Sequence, residues 1–162
     1  MRNKIGLIGL VLATAIFIYL CSIIGKKIVI ALTDSTSHTV YWIDNSSPKK
    51  GDYVIFRLKL NKRYFSDFIK KHEATVTVVK RVICVPGDHL VVRKRKFFCN
   101  GKYIGTAKEY SLKGIKTKVF HYNGVVPKGD LFVIGSSINS YDSRYFGFIR
   151  KDEVQNTAVP IF

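Results

Sequence analysis

An uncharged apolar run near the N-terminus constrains this chain more than any other feature. The residues from Ile5 to Gly25 include no Asp, Glu, Lys or Arg, and most of them are aliphatic. About twenty such residues in a helix match the thickness of a bilayer core. We therefore predict a cytoplasmic tip and transmembrane anchor over residues 1–27. The remaining residues, 28–162, are enough for one compact domain with its own core.

A cleavable signal peptide is the alternative interpretation of this run. Val29-Ile30-Ala31 has residues of suitable size and spacing for cleavage. However, the run is longer than an ordinary signal-peptide core, and Lys26-Lys27 separates it from that site. We therefore expect an uncleaved, single-pass anchor in the inner (cytoplasmic) membrane. The flanking charges weakly favour an N-terminus on the cytoplasmic side of the membrane. This orientation leaves the domain on the periplasmic, extracytoplasmic side.

The charge balance predicts an anionic partner. Lys and Arg number 27 against 11 Asp and Glu, a net charge of +16. Lipid headgroups, nucleic acid and an acidic protein all fit such a surplus. With an anchor present, anionic lipid is the simplest choice, since each basic residue near a membrane gains roughly 1 kcal/mol. Nucleic acid is not expected, and we interpret Arg93–Lys96 as a solvated turn or a lipid contact.

The cysteines of the domain do not have the spacing of a metal site. Cys84 and Cys99 are separated by fifteen positions, and no pair in the chain has the C-x-x-C pattern. We therefore expect neither a metal nor another cofactor. In an oxidising compartment the two thiols can form a disulfide, and as free thiols they are two small buried apolar groups. The sequence leaves both interpretations open.

Alternating apolar residues and frequent turn signals predict a mainly β domain. Asn100-Gly101 is a strong signal for a two-residue hairpin, because both residue types tolerate positive φ. Asn61 to Glu73 is predicted to be a short amphipathic helix. The predicted strands are Tyr41–Ile43, Tyr53–Leu60, Thr75–Val85, His89–Val92, Lys96–Cys99, Lys102–Thr106, Val119–Val126, Leu131–Ile134 and Phe146–Ile149.

One lysine lies on the apolar face of a predicted strand, where a charged side chain is unexpected. Side chains alternate between faces, so Lys80 shares its face with Val78, Val82 and Cys84, while Arg81 points to the other face. An apolar environment disfavours the charged amine and lowers its pKa, which makes a lysine usable as a general base. The alternative is an amine that extends to water along its aliphatic stem.

Three segments around this lysine resemble motifs of one enzyme family. Val79 to Asp88, which reads VKRVICVPGD, resembles the lysine box of type I signal peptidases. Gly51 to Phe56 resembles the family's Gly-Asp-x-Val box, and Asn139 to Gly147 is similar to its C-terminal box. A preceding apolar anchor fits the same order. The resemblance implies a signal-peptidase-like β-domain after one N-terminal transmembrane helix.

The segment that matches the nucleophile box favours one branch of the family. Ser35 to Tyr41 reads STSHTVY, which keeps the Ser-x-x-x-Thr-aliphatic pattern and is similar to the TraF-like maturation peptidases of conjugative plasmids. This resemblance implies a membrane-bound serine endopeptidase that cleaves membrane-tethered preproteins or a propilin, in some cases with pilin cyclisation. A catalytically degenerate scaffold of a conjugation or secretion apparatus is the alternative.

The resemblance also implies roles for individual residues. Ser35 matches the nucleophile and Lys80 its general base, a Ser-Lys dyad. The hydroxyl of Thr33 and the N–H of Ser35 match the oxyanion donors, and Ser140 matches the serine that orients the lysine. Arg81 and Asp142 match an ion pair that gives structural support, as does Arg144. Ser37 is the alternative nucleophile, while a triad with His38 or His121 lacks a recognisable sequence context.

Overall fold

The computed structural model describes residues 2–25, 27–31, 38–71 and 74–161. The apolar run forms the helix α1, which extends from Arg2 to Gly25. Among the residues described, no helix is long and apolar enough to cross a bilayer, so the predicted transmembrane helix is not supported. The predicted mainly β domain is confirmed, since the described residues that follow this helix include eleven strands.

The remaining elements alternate short strands with two further helices. The second helix α2 is Lys62–Lys71, and the third, α3, is Ser143–Phe146. A 3-10 turn covers Lys151–Glu153. The strands are β1 (Ile28–Ile30), β2 (Val40–Asp44), β3 (Tyr53–Lys59), β4 (Thr75–Cys84), β5 (His89–Arg93), β6 (Lys96–Cys99), β7 (Lys102–Thr106), β8 (Asn123–Val125), β9 (Asp130–Ile134), β10 (Ile149–Arg150) and β11 (Val154–Pro160).

Two antiparallel sheets organise the domain. The large sheet has the order β1-β2-β11-β3-β4-β9-β10, and the small sheet has the order β7-β6-β5-β8. Strand β4 lies near the middle of the large sheet, between β3 and β9. A strand in that position is paired on both edges, so its backbone is held rigidly. Residues on β4 are therefore suited to a role that needs fixed geometry.

The two faces of the large sheet carry separate apolar clusters. One cluster contains Val54, Val82 and Val133, and α2 covers it with Phe65. The other contains Tyr53, Val79 and Ala158 together with two further residues. Adjacent residues of β3 and β4 thus alternate between the clusters, as a pleated strand requires. The face covered by α2 is the one on which the candidate site lies.

A disulfide connects the two sheets. Cys84 at the end of β4 is bonded to Cys99 at the end of β6, and both residues are buried. They lie in a third apolar cluster with Leu90, Phe97 and Phe132. Of the two interpretations left open by the sequence, the disulfide is the one found. The cross-link holds the end of the lysine-bearing strand against the small sheet.

Most predicted strands are present, but the C-terminal region differs from the prediction. The predicted strand Phe146–Ile149 is wrong, because Phe146 ends α3 and the strand begins only at Ile149. Strand β8 is confined to Asn123–Val125, shorter than predicted. Strand β11 has no counterpart among the predicted strands. In the structure it lies inside the large sheet, between β2 and β3. The hairpin at Asn100-Gly101 is confirmed, since both residues have positive φ.

Candidate active site

Lys80 lies in the middle of β4 and is buried. It pairs across the ladder with Val54 of β3, and its neighbour Val82 belongs to the same apolar cluster as Val54. Residues paired directly across a sheet share a face, so the lysine points into this cluster. Only 2% of its surface is exposed. The prediction that this lysine lies on the apolar face is confirmed, and the amine does not extend to open water.

Two features of the site define the state of this amine. The Nζ of Lys80 donates a hydrogen bond of 2.7 Å to the Oγ of Ser140, which is also buried. Burial lowers the pKa of Lys80 from 10.5 to about 8, an effect that the carboxylate of Asp142 opposes and the guanidinium of Arg144 reinforces. A buried amine is costly when charged, and a single neutral hydroxyl compensates little of that cost. The site thus holds a lysine whose pKa of about 8 lies well below the ordinary value.

The loop that carries Ser140 is braced by Asp142. One carboxylate oxygen of this residue accepts the N–H of Gly135 at 2.9 Å, and the other accepts the N–H of Arg144 at 3.1 Å, which caps the helix α3. The next residue adds a second brace, because the Oγ of Ser143 accepts the N–H of Val133 in β9 at 2.9 Å. The ends of the loop are thereby tied to each other and to the sheet.

Arg144 completes the support from the interior of the domain. Its guanidinium forms an ion pair with Asp142 at 2.6 Å, and the side chains are 3% and 0% exposed. The same group donates to the carbonyls of Thr106, Ser137 and Ser140. Arg144 therefore links the end of β7, at Thr106, to two positions of the loop, Ser137 and Ser140. Asp142 and Arg144 together brace the loop that carries Ser140.

The predicted ion pair between Arg81 and Asp142 is wrong. Arg81 is exposed and donates through Nε to the carbonyl of Gly51 at 3.0 Å, and its guanidinium lies over the ring of Tyr53. Lys80 and Arg81 are consecutive on a strand, so their side chains point to opposite faces. Asp142 lies on the face of Lys80 and pairs with Arg144 instead.

The predicted nucleophile lies outside the residues that the structure describes. Thr33, Ser35 and the alternative Ser37 all belong to residues 32–37. The chain is described on both sides of this segment, where β1 pairs with β2 and the N–H of Ala31 donates to the carbonyl of Thr39 at 2.8 Å. The two sides of the segment therefore meet at the end of one two-stranded ladder.

The histidine beside this segment faces away from Lys80. His38 packs edge-on against Tyr41 and Tyr53, with ring centroids 6.2 Å and 5.8 Å away. Both tyrosines belong to the cluster on the opposite face of the large sheet. His121 is exposed. Neither histidine joins the buried lysine site.

One group of potential metal ligands occurs among the residues described. The ligand atoms of Cys84, Asp88 and Cys99 lie within 4.8 Å of one another. However, the two sulfur atoms are bonded to each other, and Asp88 already accepts hydrogen bonds from Lys50, Asn100 and the N–H of Val85. These donors and the disulfide occupy the ligand atoms, so the group does not fit a metal.

The basic turn at the end of β5 also has a structural explanation. Lys94 and Arg95 form the turn between β5 and β6, as predicted. The guanidinium of Arg95 donates to the carbonyls of Ala107 and Lys108 and to the hydroxyl of Thr117. This arginine therefore holds the following loop and is not part of a free cationic patch.

Comparison with known proteins identifies the family. The model of the family described as "Signal peptidase, peptidase S26" matches residues 4–162, and the chain therefore belongs to this family. It is similar to the signal peptidase I of Bacillus caldolyticus, with 36% identity over 87 residues that cover 47% of this chain and 48% of the relative. It is also similar to the probable signal peptidase I-2 of Synechocystis sp., with 28% identity over 117 residues that cover 68% of this chain and 46% of the relative.

These matches cover the relatives only in part. The aligned region spans about half of the length of either relative. A crystal structure of a signal peptidase I from Enterococcus faecalis V583 matches with 22% identity and a TM-score of 0.40, covering 70% of this chain and 97% of that one.

Proposed function

We propose that this protein is a serine endopeptidase in which Lys80 is the general base. The observation that carries the proposal is the buried amine, 2% exposed and 2.7 Å from the Oγ of Ser140. A lysine with a pKa of about 8 is neutral in about one molecule in ten at pH 7, whereas at its ordinary pKa the neutral fraction is below one in a thousand. A neutral amine can take the proton of an attacking hydroxyl.

Ser35 supplies that hydroxyl in the proposed mechanism. Its Oγ attacks the scissile carbonyl, its proton passes to the Nζ of Lys80, and an acyl-enzyme forms as the amine product leaves with that proton. The N–H of Ser35 and the hydroxyl of Thr33 stabilise the oxyanion. Ser140 acts as a positioning residue, because its hydroxyl fixes the direction of the lysine amine.

The substrates in this proposal are membrane-tethered precursors outside the cytoplasm. The disulfide between Cys84 and Cys99 supports this compartment, since such bonds form and persist in oxidising environments. The net charge of +16 favours a location near anionic lipid. The substrate is either a preprotein with a signal peptide or a conjugative pilin precursor, as in the TraF-like branch. Water resolves the acyl-enzyme in simple cleavage, and the amino terminus of the product resolves it in cyclisation.

Mass spectrometry of co-expressed precursors tests the proposal. We expect the full-length protein to convert a signal-peptide fusion or a candidate propilin to a shorter product, and Ser35→Ala to leave the precursor intact. A further loss of one water from the shortened product indicates ring closure. If both precursors keep their full mass with the wild-type protein, the peptidase proposal fails, and the degenerate scaffold replaces it.

The pH dependence of processing provides a separate prediction. Because only the neutral amine accepts a proton, the rate should rise about tenfold per pH unit below about 8 and level off above it, following the lowered pKa of Lys80. Initial rates on one purified precursor between mildly acidic and alkaline pH measure this profile. A rate that is flat over this interval, or that rises only near pH 10, contradicts the assignment of the base.

A further inference from the structure

An aromatic cleft opens beside the buried, hydrogen-bonded pair of Lys80 and Ser140. It has a volume of about 190 Å³ and lies between the first turn of α2, residues 108–117 and the loop that carries Ser140. This space is smaller than the pockets that hold drug-sized ligands, and it corresponds to roughly six water molecules. A space of this size suits one large side chain and not a whole small-molecule ligand.

One wall of the cleft is a row of packed rings. Tyr141 lies at the centre, with ring-centroid distances of 5.3 Å to Phe65, 6.0 Å to Tyr64 and 5.7 Å to Tyr145, the last pair stacked. Such ring packing holds the wall in a defined shape. Tyr141 directly follows Ser140, whose Oγ accepts the hydrogen bond from Lys80. Ser140 itself lines the cleft, so the cleft borders the residue that accepts the hydrogen bond from Lys80.

The opposite wall is the segment from Lys108 to Lys118, held at both ends by tyrosine hydroxyls. The N–H of Lys108 donates to Tyr145 at 3.0 Å, and the N–H of Lys118 donates to Tyr64 at 2.8 Å. Between these points Leu112 is 79% exposed. The segment is fixed at both ends, and it exposes an apolar side chain at the rim of an aromatic cleft. Exposed apolar surface of this kind is typical of a binding site for an apolar partner.

We propose that this aromatic cleft binds a large apolar side chain of the precursor, preferably an aromatic one, close to the scissile bond. The inference rests on the proposed function, because the peptidase site identifies the occupant as a polypeptide. An extended chain advances about 3.3 Å per residue, so an occupant beside Ser140 lies within a few residues of the cleaved bond. The cleft thus acts as a specificity site, distinct from the groups that carry out the reaction.

Binding of synthetic peptides tests this inference without any need for cleavage. The protein is the full-length Ser35→Ala variant in detergent. The probes are an alanine- and serine-based peptide of about twelve residues and a series in which one Phe is moved along it. Isothermal titration should show at least one Phe position that binds about tenfold more tightly than the parent peptide, as expected for burial of one aromatic ring.

Two exposed aliphatic residues provide the matched variants. Leu112→Ser at the rim should reduce the tenfold preference to about threefold or less. Val125→Ser, at a residue that is 56% exposed on β8, should leave the preference unchanged. Circular dichroism spectra of both variants should match that of the parent protein, since both residues are on the surface.

The remaining outcomes overturn the inference. Equal binding of all peptides, absence of binding, or a preference that Leu112→Ser leaves intact shows that the cleft does not select the substrate. An equal loss of preference in Val125→Ser has the same meaning. Processing of precursors by the wild-type protein in the mass-spectrometric experiment would still stand in each case, so failure of this inference is distinguishable from failure of the peptidase proposal.

Discussion

Lys80→Met should reduce the rate of precursor processing by a factor on the order of 10⁴. Methionine is one heavy atom shorter than lysine but similar in volume and unbranched, so the substitution removes the amine and opens little space. The proton of the attacking hydroxyl then has no acceptor. Single-turnover rates on a purified precursor measure the loss, and Ser35→Ala should show a loss of similar size.

Two controls separate chemistry from folding in this experiment. The pKa of Lys80, lowered from 10.5 to about 8, means that below about pH 8 burial of the charged amine costs about 3 kcal/mol, a cost that declines between pH 8 and 10.5. Lys80→Met should therefore unfold no more easily than the wild type at pH 7. Ser37→Ala should keep most of the activity. An active Lys80→Met variant, or an inactive Ser37→Ala beside an active Ser35→Ala, would contradict the proposed dyad.

Arg144→Met should lower the free energy of unfolding by about 3–5 kcal/mol, because it leaves the buried carboxylate of Asp142 without its partner. The substitution also removes the donors to the carbonyls of Thr106 and Ser137. The free energy of unfolding of a domain of this size is about 5–15 kcal/mol, so the expected loss is a large part of its total stability. Denaturant titration of the purified variant measures it.

Arg150→Met is the matched control for this substitution. Arg150 forms an ion pair with Asp152 at 2.9 Å, also two residues away, but the side chains are 70% and 65% exposed. Solvent and salt screen such a pair, so its loss should change stability little. If the two variants unfold at the same denaturant concentration, the buried pair does not support the loop as we describe.

The position of the lysine could be predicted because strand alternation is a local property. The sequence places Lys80 between Val78 and Val82 on one face, and the structure adds Val54 across the ladder. Alternation alone cannot identify partners that are distant in the chain. Ser140 enters the site from a loop 60 residues away, and only the family resemblance indicated it.

Strand β11 shows why the rest of the sheet could not be predicted. Its sequence, Val154–Pro160, contains Gln155, Asn156 and Thr157 and ends in proline, a composition typical of a loop. The pairing with β2 and β3 overrides that local preference, because the strand is hydrogen-bonded on both edges. The incorrectly predicted ion pair has the same cause. Arg81 and Arg144 are both candidate partners of Asp142 in the sequence, and the folded structure determines that Arg144 is the partner.

The aromatic cleft was also beyond sequence analysis. Tyr64, Tyr141 and Tyr145 come from two distant segments, and each alone has the appearance of an ordinary core residue. The four-residue spacing of Tyr141 and Tyr145 is a weak local signal, since it falls across a helix start. Their grouping depends on the docking of α2 against the loop of Ser140.

The position of β11 has a consequence for the order in which the protein is assembled. This strand bridges β2, which borders the segment of Ser35, and β3, the neighbour of the lysine strand. The ribosome must therefore translate residues 154–160 before β2 and β3 can be joined through this strand. A nascent chain halted at residue 153 would contain every proposed catalytic group and still lack the strand that joins β2 to β3.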